Sequence, residues 1–316
     1  MTARFKVMQT EHLHAEAAQW LAARCDLVAC APDDPNFEAE LGAADGLIVR
    51  TYTIVDEAML SRAPKLKVVG RAGVGLDNID LEACKRRCIR VVNTPDANTQ
   101  AVVEYVIALL CDALRPRMTL GGPVDAVVWN SLRADTCAAR QMSELTLGIL
   151  GLGRIGCRVA EIATVIGFTV LYNDLIVPEP ACAFASSVPV EELFSQSDVI
   201  SIHIDARTSN RNFINANLID RMKSDAVFVN TARGFVVDTA ALATFLRANP
   251  AAAAHLDVHD SEPFGEDYPL LGLPNAKLYP HLASRTETAM RNMSWVVRDV
   301  WAALNSPSGS GVGKVL

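Results

Sequence analysis

The chain has 316 residues and a net charge of −7, and 50% of its residues are hydrophobic. This length exceeds what one hydrophobic core usually serves, so two domains are expected. The basic residues are scattered, which argues against the clustered positive surface of a nucleic-acid-binding protein. No stretch reaches the roughly 18 uncharged apolar residues that a membrane span requires, so no membrane partner is expected.

The cysteines give no sign of a metal site or a disulfide framework. None of the eight forms a C-x-x-C pair, and a chain this long does not resemble a small disulfide-stapled domain. Reduced thiols are therefore predicted, with no metal ligands among them. The first ten residues lack the long apolar run of a secretory signal, so the protein is expected to be cytoplasmic.

The first hundred residues alternate short apolar runs with segments of helical periodicity. Strands are predicted at 5–8, 27–30, 46–49, 66–69 and 89–92, and helices near 12–24, 55–63 and 78–87. Strands that alternate with helices in this way are typical of βαβ units in a parallel sheet. A turn at 93–96 precedes a long apolar-periodic helix predicted over 99–114.

A second alternating set begins at Leu145. Its strands are predicted at 146–150, 169–172, 199–202, 226–230, within 253–258 and at 277–279; its helices at 154–166, 190–195, 215–221, 238–248 and about 285–304. The fold class is thus α/β, with two doubly wound parallel-sheet halves. The stretch 116–142 fits neither rhythm, and Trp129 within it is expected to be buried. The Gly- and Ser-rich tail from residue 305 is expected to be flexible.

A glycine-rich turn opens the second half. Gly151, Gly153 and Gly156 form G-x-G-x-x-G between a predicted strand and a predicted helix. In such a motif the first glycine permits the tight turn, the second lets the backbone approach a pyrophosphate, and the third lets the helix pack closely on the strand. Asp174 follows the next strand, 18 residues after Gly156. A carboxylate there binds ribose hydroxyls and repels a 2′-phosphate, so the motif predicts NAD as the coenzyme.

Three polar motifs follow later strands, where the loops of a parallel sheet face its ligand crevice. Arg233 offers a planar fork for a substrate carboxylate and carbonyl. His281 can hold or release a proton near neutrality, and Glu262 can orient its imidazole. A cation, a proton donor and a carboxylate behind a dinucleotide turn indicate hydride transfer to a keto acid, with Arg233, Glu262 and His281 as the catalytic set.

Further segments accompany these motifs: GRAGVGLDNID at 70–80, NTP at 93–95, SDVISIH at 197–203, NTARGFVVD at 230–238, LDV at 256–258 with Glu262-Pro263, and Pro280-His281. Together with the glycine turn, they resemble the D-isomer-specific 2-hydroxyacid dehydrogenase family over nearly the whole chain. The resemblance implies a Rossmann coenzyme domain at 99–282, inserted into a flavodoxin-like substrate domain formed by 1–98 and 283–316. It also implies that the segment after Leu114 forms the arm of a homodimer.

Site residues are carried over from the same resemblance. It implies that the substrate carboxylate binds the backbone N–H groups of Val74 and Gly75, and that Arg50, Arg233 and His281 contact the substrate. It implies that Asp257 binds the nicotinamide carboxamide. The remaining residues implied to contact NAD are Gly151, Gly153, Arg154, Ile155, Gly156, Asp174, His203, Thr231 and Ala232.

The resemblance leaves several alternatives open. Arg50 lies where the phosphoglycerate-dehydrogenase branch contacts a distal anionic group, so 3-phosphoglycerate, hydroxypyruvate, glyoxylate and sulfolactate types of substrate all remain. An NAD-sensing corepressor-like binding module of the same fold is the alternative to an enzyme. The chain departs from the family pattern at Asp205, His255 and His259, where Pro, Ala and Phe are usual.

Overall fold

The computed structural model describes residues 4–176 and 184–306. It divides into two compact units: one comprises Met1–Asn98 and Ser284–Leu316, and the other comprises Thr99–Ala283. The predicted α/β class is confirmed, since both units are built on parallel sheets. Most of the tail for which flexibility was expected, residues 307–316, lies outside the described residues.

The first unit contains a five-stranded parallel sheet of order β2-β1-β3-β4-β5. Its strands are β1 (Lys6–Gln9), β2 (Asp26–Ala29), β3 (Gly46–Val49), β4 (Val68–Arg71) and β5 (Arg90–Asn93). Its helices are α1 (Ala15–Ala22), α2 (Phe37–Ala43), α3 (Glu57–Ser61), α4 (Leu81–Arg86), α11 (Glu287–Ser294) and α12 (Val296–Asn305). Strands β3 and β4 are buried along their whole length, as is typical of the inner strands of a parallel sheet. The C-terminal helix α12 closes one face, where Val296 and Val300 pack beside Gly70 of β4.

The second unit contains a seven-stranded parallel sheet of order β12-β11-β10-β9-β6-β7-β8. Its strands are β6 (Thr146–Leu150), β7 (Thr169–Asn173), β8 (Ser186–Ser187), β9 (Val199–Ile202), β10 (Val227–Asn230), β11 (Ala253–Leu256) and β12 (Ala276–Leu278). Its helices are α5 (Thr99–Leu114), α6 (Ala126–Asp135), α7 (Arg154–Ile166), α8 (Val190–Gln196), α9 (Ala216–Ile219) and α10 (Thr239–Ala248). The strand order reverses at β6, so the loops after β6, β7 and β9 meet at one edge, which is where doubly wound sheets bind ligands.

Several expectations need correction. Trp129 lies on α6, which has no buried residue, and its side chain is 49% exposed instead of buried. The predicted C-terminal helix is two helices that meet at Trp295. Cys157 is disulfide-bonded, contrary to the prediction of reduced thiols, whereas the cysteines described as free are Cys25, Cys30, Cys84, Cys88, Cys111 and Cys137. None of the helices in the described ranges has the length and apolar character to cross a bilayer.

Candidate active site

The glycine turn after β6 is shaped by two close approaches and one opening. A Cβ on Gly151, which has φ +93°, would lie 2.7 Å from the carbonyl carbon of His203. A Cβ on Gly156 would lie 2.1 Å from the carbonyl oxygen of Gly151, so neither position accepts a side chain. A Cβ on Gly153 would meet nothing within 4 Å. The backbone at Gly153 therefore borders open space, as a pyrophosphate cradle requires.

Helix α7 begins at Arg154, directly after this opening. The first N–H groups of a helix, here including that of Ile155, have no carbonyl partner within the helix, and the positive end of the helix dipole lies beside them. Such an end binds phosphate oxygens. The turn and the helix start thus provide the donors that a dinucleotide pyrophosphate needs.

Asp174 follows β7 beside the glycine turn. Its Oδ2 accepts the backbone N–H of Leu152 at 2.5 Å, and its Oδ1 accepts that of Ile176 at 3.0 Å. Each carboxylate oxygen can accept more than one hydrogen bond, so both retain capacity for ribose hydroxyls. The glycine turn therefore fixes the position of the carboxylate.

The loop after β9 lies against the same turn through His203. The imidazole Nε2 of His203 lies 2.8 Å from Oγ of Ser201, and burial lowers the pKa of His203 to about 4. This imidazole is consequently neutral at physiological pH. It adds no charge beside the site for the phosphates.

The loop after β10 carries Arg233. The side chain of Asn230 holds this loop, since its Oδ1 accepts the N–H of Ala232 and its Nδ2 donates to the carbonyl of Arg233, at 3.0 and 2.9 Å. A Cβ on Gly234 would lie 1.9 Å from the carbonyl carbon of His259, so this loop packs on the loop that carries Glu262. The Oγ1 of Thr231 is buried without a hydrogen-bond partner among the described residues. A buried hydroxyl without a partner marks a place for a ligand group.

The loops after β11 and β12 bring Glu262 and His281 together. His281 Nδ1 lies 2.7 Å from Glu262 Oε2, and both side chains are largely buried. Burial tends to raise the pKa of Glu262, but the hydrogen bond and charge of His281 outweigh it, so the pKa lies below its ordinary value. Glu262 is thus a carboxylate at neutral pH, and it fixes the imidazole with Nε2 as the nitrogen left for substrate.

His259 joins these two loops. Its backbone N–H donates to Glu262 Oε1 at 2.9 Å, and its Nε2 lies 2.9 Å from the carbonyl oxygen of Tyr279. Because a carbonyl only accepts, Nε2 carries a proton, and Nδ1 lies 3.1 Å from the hydroxyl oxygen of Tyr268. Both ring nitrogens thus have hydrogen-bond partners, and His259 supports the Glu262–His281 pair without belonging to it.

Asp257 anchors the loop that presents His281. Its carboxylate accepts the N–H groups of Leu282 and Ala283 at 2.7 and 2.8 Å, and its carbonyl accepts that of His281 at 2.9 Å. These bonds hold His281 at φ +54°, a left-handed conformation that a side chain other than glycine rarely adopts. Asp257 is fully buried, so the structure assigns it to loop anchoring. Its implied contact with the nicotinamide remains a prediction.

The first unit carries the other implied substrate residues. The N–H groups of Val74 and Gly75 donate to no described residue, and they follow Gly73, which has φ +154°. Arg50 precedes a loop that is held by Glu11, whose carboxylate accepts the backbone N–H groups of residues 50–53. The Nδ2 of Asn78 donates to the carbonyl of Arg50 at 3.0 Å. The Arg50 loop and the 74–78 segment are thus tied together within this unit.

Some of these residues have no simple sequence signal. Asn78 was indicated only by its place inside the 70–80 motif, and Glu11 only by its position shortly after β1. His259 and Tyr268 meet only through tertiary folding. The residues that could hold a dinucleotide form one edge of the second sheet, whereas no group of metal-ligand side chains is found in residues 4–176 and 184–306.

Several known proteins resemble this chain in sequence and in fold. The sequence-family model for the NAD binding domain of D-isomer specific 2-hydroxyacid dehydrogenases matches residues 107–283. A glyoxylate reductase of Aeropyrum pernix is 36% identical over 91% of this chain and 89% of its own length. A D-3-phosphoglycerate dehydrogenase of Archaeoglobus fulgidus is 35% identical over 82% of this chain, which spans only 49% of that relative. The crystal structure of D-lactate dehydrogenase from Aquifex aeolicus, complexed with NAD and lactic acid, has a TM-score of 0.82 and 27% identity, with 94% of each chain covered.

Proposed function

Because the chain belongs to the D-isomer specific 2-hydroxyacid dehydrogenase family, we propose that Arg233, Glu262 and His281 catalyse the interconversion of a small D-2-hydroxy acid and its 2-keto acid. The observation that carries the assignment is the 2.7 Å contact between His281 Nδ1 and Glu262 Oε2. The relatives are reductases and dehydrogenases by name, which favours an enzyme over a corepressor-like binding module.

This contact determines which nitrogen of His281 donates the proton. With Nδ1 held by Glu262, Nε2 of His281 donates its proton to the carbonyl oxygen of the keto acid as negative charge develops there. NADH, held at the glycine turn, would supply the hydride that C2 receives. The products are the 2-hydroxy acid and NAD⁺, and in the reverse direction Nε2 takes the proton from the hydroxyl. Glu262 keeps its charge throughout and stabilises the imidazolium.

We assign substrate binding to four groups. Arg233 polarises the C2 carbonyl and pairs with the carboxylate through its planar fork. The N–H groups of Val74 and Gly75, which donate to no described residue, bind carboxylate oxygens, and Arg50 binds an anionic group at the distal end of the substrate. On this assignment the first unit is the substrate-binding domain, and the second is the NAD-binding domain.

The coenzyme is NAD in this proposal. The support is Asp174, whose carboxylate is fixed beside the glycine turn and would repel a 2′-phosphate. The open cradle at Gly153 and the hydroxyl of Thr231, which has no partner among the described residues, fit a dinucleotide. We assign Arg154, Ile155, His203 and Ala232 to the same binding site. We also propose that the protein is a cytoplasmic homodimer, with the segment after Leu114 as its arm.

The test is steady-state reduction of a panel of 2-keto acids with NADH and with NADPH. Glyoxylate, hydroxypyruvate, phosphohydroxypyruvate and sulfopyruvate represent the open substrate types. We expect turnover of at least one, a D-configured product and preference for NADH. His281→Ala is expected to lower kcat by at least about a hundredfold, the usual scale of acid–base catalysis, while NADH binding persists.

The control variant is His255→Ala, because His255 is a histidine of the same unit that bonds to Tyr279 and has no part in the proposed chemistry. It should retain kcat far better than His281→Ala. If the wild-type protein bound NADH but reduced no keto acid in the panel, the binding module would replace the enzyme. If His281→Ala remained active, His281 would have no place in the mechanism.

A further inference from the structure

Two aspartates and one arginine lie in the loops beside the glycine turn of the second unit. Asp174 follows β7, and Asp205 and Arg207 follow β9; these strands flank β6, which leads into the glycine turn. Parallel strands place all three loops at the same edge of the sheet. The β9 loop lies directly on the turn, since a Cβ on Gly151 would approach the backbone nitrogen of Ile204 to 2.8 Å.

The charges at this edge give opposite signals about the coenzyme. A carboxylate such as Asp174 favours the free ribose hydroxyls of NAD, whereas an arginine near the same ribose accommodates the 2′-phosphate of NADP. Asp174 is fixed by its bond to Leu152. Arg207 is a guanidinium in the adjacent loop, so the fingerprint alone does not decide the preference.

Asp205 forms a bidentate ion pair with Arg207. The Nε of Arg207 donates to both oxygens of Asp205, at 2.8 and 3.0 Å, and its Nη2 donates to Oδ2 at 2.5 Å. The backbone N–H of Arg207 and the Nδ2 of Asn210 also donate to Oδ1, at 3.2 and 3.0 Å. Two of the five N–H groups of the guanidinium, one on Nε and one on Nη2, are therefore occupied by a carboxylate two residues away, which also offsets the positive charge.

The electrostatics connect this pair to Asp174. The hydrogen bonds to Asp205 raise the pKa of Arg207, and the charge of Asp174 contributes in the same direction. Asp174 thus lies within electrostatic reach of the guanidinium. An arginine that no longer paired with Asp205 would remain at this edge of the sheet. There it would bind the 2′-phosphate of NADP through charge-assisted hydrogen bonds.

We propose that Asp205 is a coenzyme-specificity residue, because it neutralises Arg207 and so withholds from NADP an arginine that the site already contains. The inference rests on the proposed preference for NAD. It makes that preference depend on two carboxylates: Asp174 repels the 2′-phosphate, and Asp205 removes the cation that would attract it. The site therefore has a latent capacity for NADP that one neutral substitution releases.

The variant Asp205→Asn tests this directly. Asparagine keeps an oxygen for the backbone N–H of Arg207 and for Asn210, so the turn is preserved while the charge is lost. We expect the ratio of kcat/KM with NADPH to that with NADH to rise at least about tenfold, and the Kd for NADPH to fall, as measured by energy transfer from protein fluorescence to the bound dinucleotide. The gain should shrink at high salt, since it depends on exposed charges.

The double variant Asp205→Asn with Arg207→Ala identifies the cause. It should lose the gain, and Arg207→Ala alone should not improve the use of NADPH. Asp225→Asn is the matched control: Asp225 pairs with Arg140 and is as exposed as Asp205, at 53% and 55%. It precedes β10, at the opposite edge of the sheet, and should leave the ratio unchanged.

Two results would overturn the inference. One is an Asp205→Asn variant whose ratio stays within about twofold of the wild type; the other is a double variant that keeps the gain, since Arg207 would then not be the group released. Failure of the proposed NAD preference is a separate result, seen as a wild-type protein that binds NADPH more tightly than NADH. Direct dinucleotide binding also keeps the test independent of which keto acid is reduced.

Discussion

Glu262 controls the protonation of His281 through charge as well as geometry. Its lowered pKa means that it is ionised in the folded protein at neutral pH. A carboxylate 2.7 Å from Nδ1 favours the charged imidazole, which is the form that donates a proton during reduction. An amide in the same place would keep the contact but remove the charge.

Glu262→Gln is therefore expected to change the pH profile as well as the rate. The basic limb of kcat/KM for reduction should move to lower pH, because the imidazolium loses its carboxylate and releases its proton earlier. We expect kcat to fall at least about tenfold. The measurement is a pH–rate series from pH 5 to 9, with Glu266→Gln, an exposed glutamate of the same loop, as control. Superimposable profiles for wild type and Glu262→Gln would remove the electrostatic role.

At the residue scale, sequence reasoning reached the side chains with chemistry of their own. Arg233, Glu262 and His281 each follow a strand. Their residue types suit binding of a substrate carboxylate, orientation of an imidazole and donation of a proton, respectively. Supporting residues were harder to predict. His259 was seen only as a departure from the family pattern, because its bonds to Tyr268 and Tyr279 depend on contacts that no local spacing encodes.

At the scale of elements, strands were predicted better than the segments between them. Strands β3, β6 and β9 match the predicted bounds because they are short, mainly apolar runs in which nearly every residue is buried. The short helix α2 and the two-residue strand β8 were missed, since neither is long enough to show a period. The break before α12 was also missed. Ser294 Oγ donates to the carbonyl of Met290 and accepts the N–H of His14 there, and the contact with a residue so distant in sequence has no local signal.

The anchoring of one loop by another can be tested at Asp257. Asparagine has one side-chain acceptor, so Asp257→Asn leaves Leu282 or Ala283 without its partner and loosens the left-handed backbone of His281. We expect a loss of about 1–3 kcal/mol in the free energy of unfolding, the cost of one buried unsatisfied group. Since the loop presents the proton donor, kcat should fall while KM for NADH changes little.

Tyr105→Phe is the companion variant, because burial and the charge of Asp257 both raise the pKa of the Tyr105 hydroxyl, and removing that hydroxyl leaves the two backbone bonds of Asp257 intact. Its effect on kcat should be smaller. A different pattern, in which Asp257→Asn raises KM for NADH and leaves kcat intact, would favour a direct contact with the nicotinamide over anchoring. Denaturant unfolding and initial-rate kinetics on the same preparations separate the two roles.

At the scale of the whole molecule, the segment after Leu114 is unexplained by a single chain. Helix α6 has no buried residue, yet its surface is apolar: Val127, Val128 and Trp129 are 79%, 42% and 49% exposed. Contiguous apolar side chains on a helix without its own core are typical of an interface. The sequence showed that 116–142 fits neither rhythm but did not predict a helix here, since the apolar positions pack into no core among the described residues.

Trp129→Glu tests the proposed homodimer. A buried tryptophan is a frequent centre of binding energy, and a charge in its place is costly inside an interface but harmless on an exposed helix. We expect the wild type to sediment at twice its chain mass of 34.1 kDa and the variant to dissociate, with unchanged circular dichroism. Leu271→Glu is the control, because Leu271 is also 49% exposed but lies outside the segment. A wild-type monomer at micromolar concentration, or a variant that remains dimeric, would refute the role of α6 in assembly.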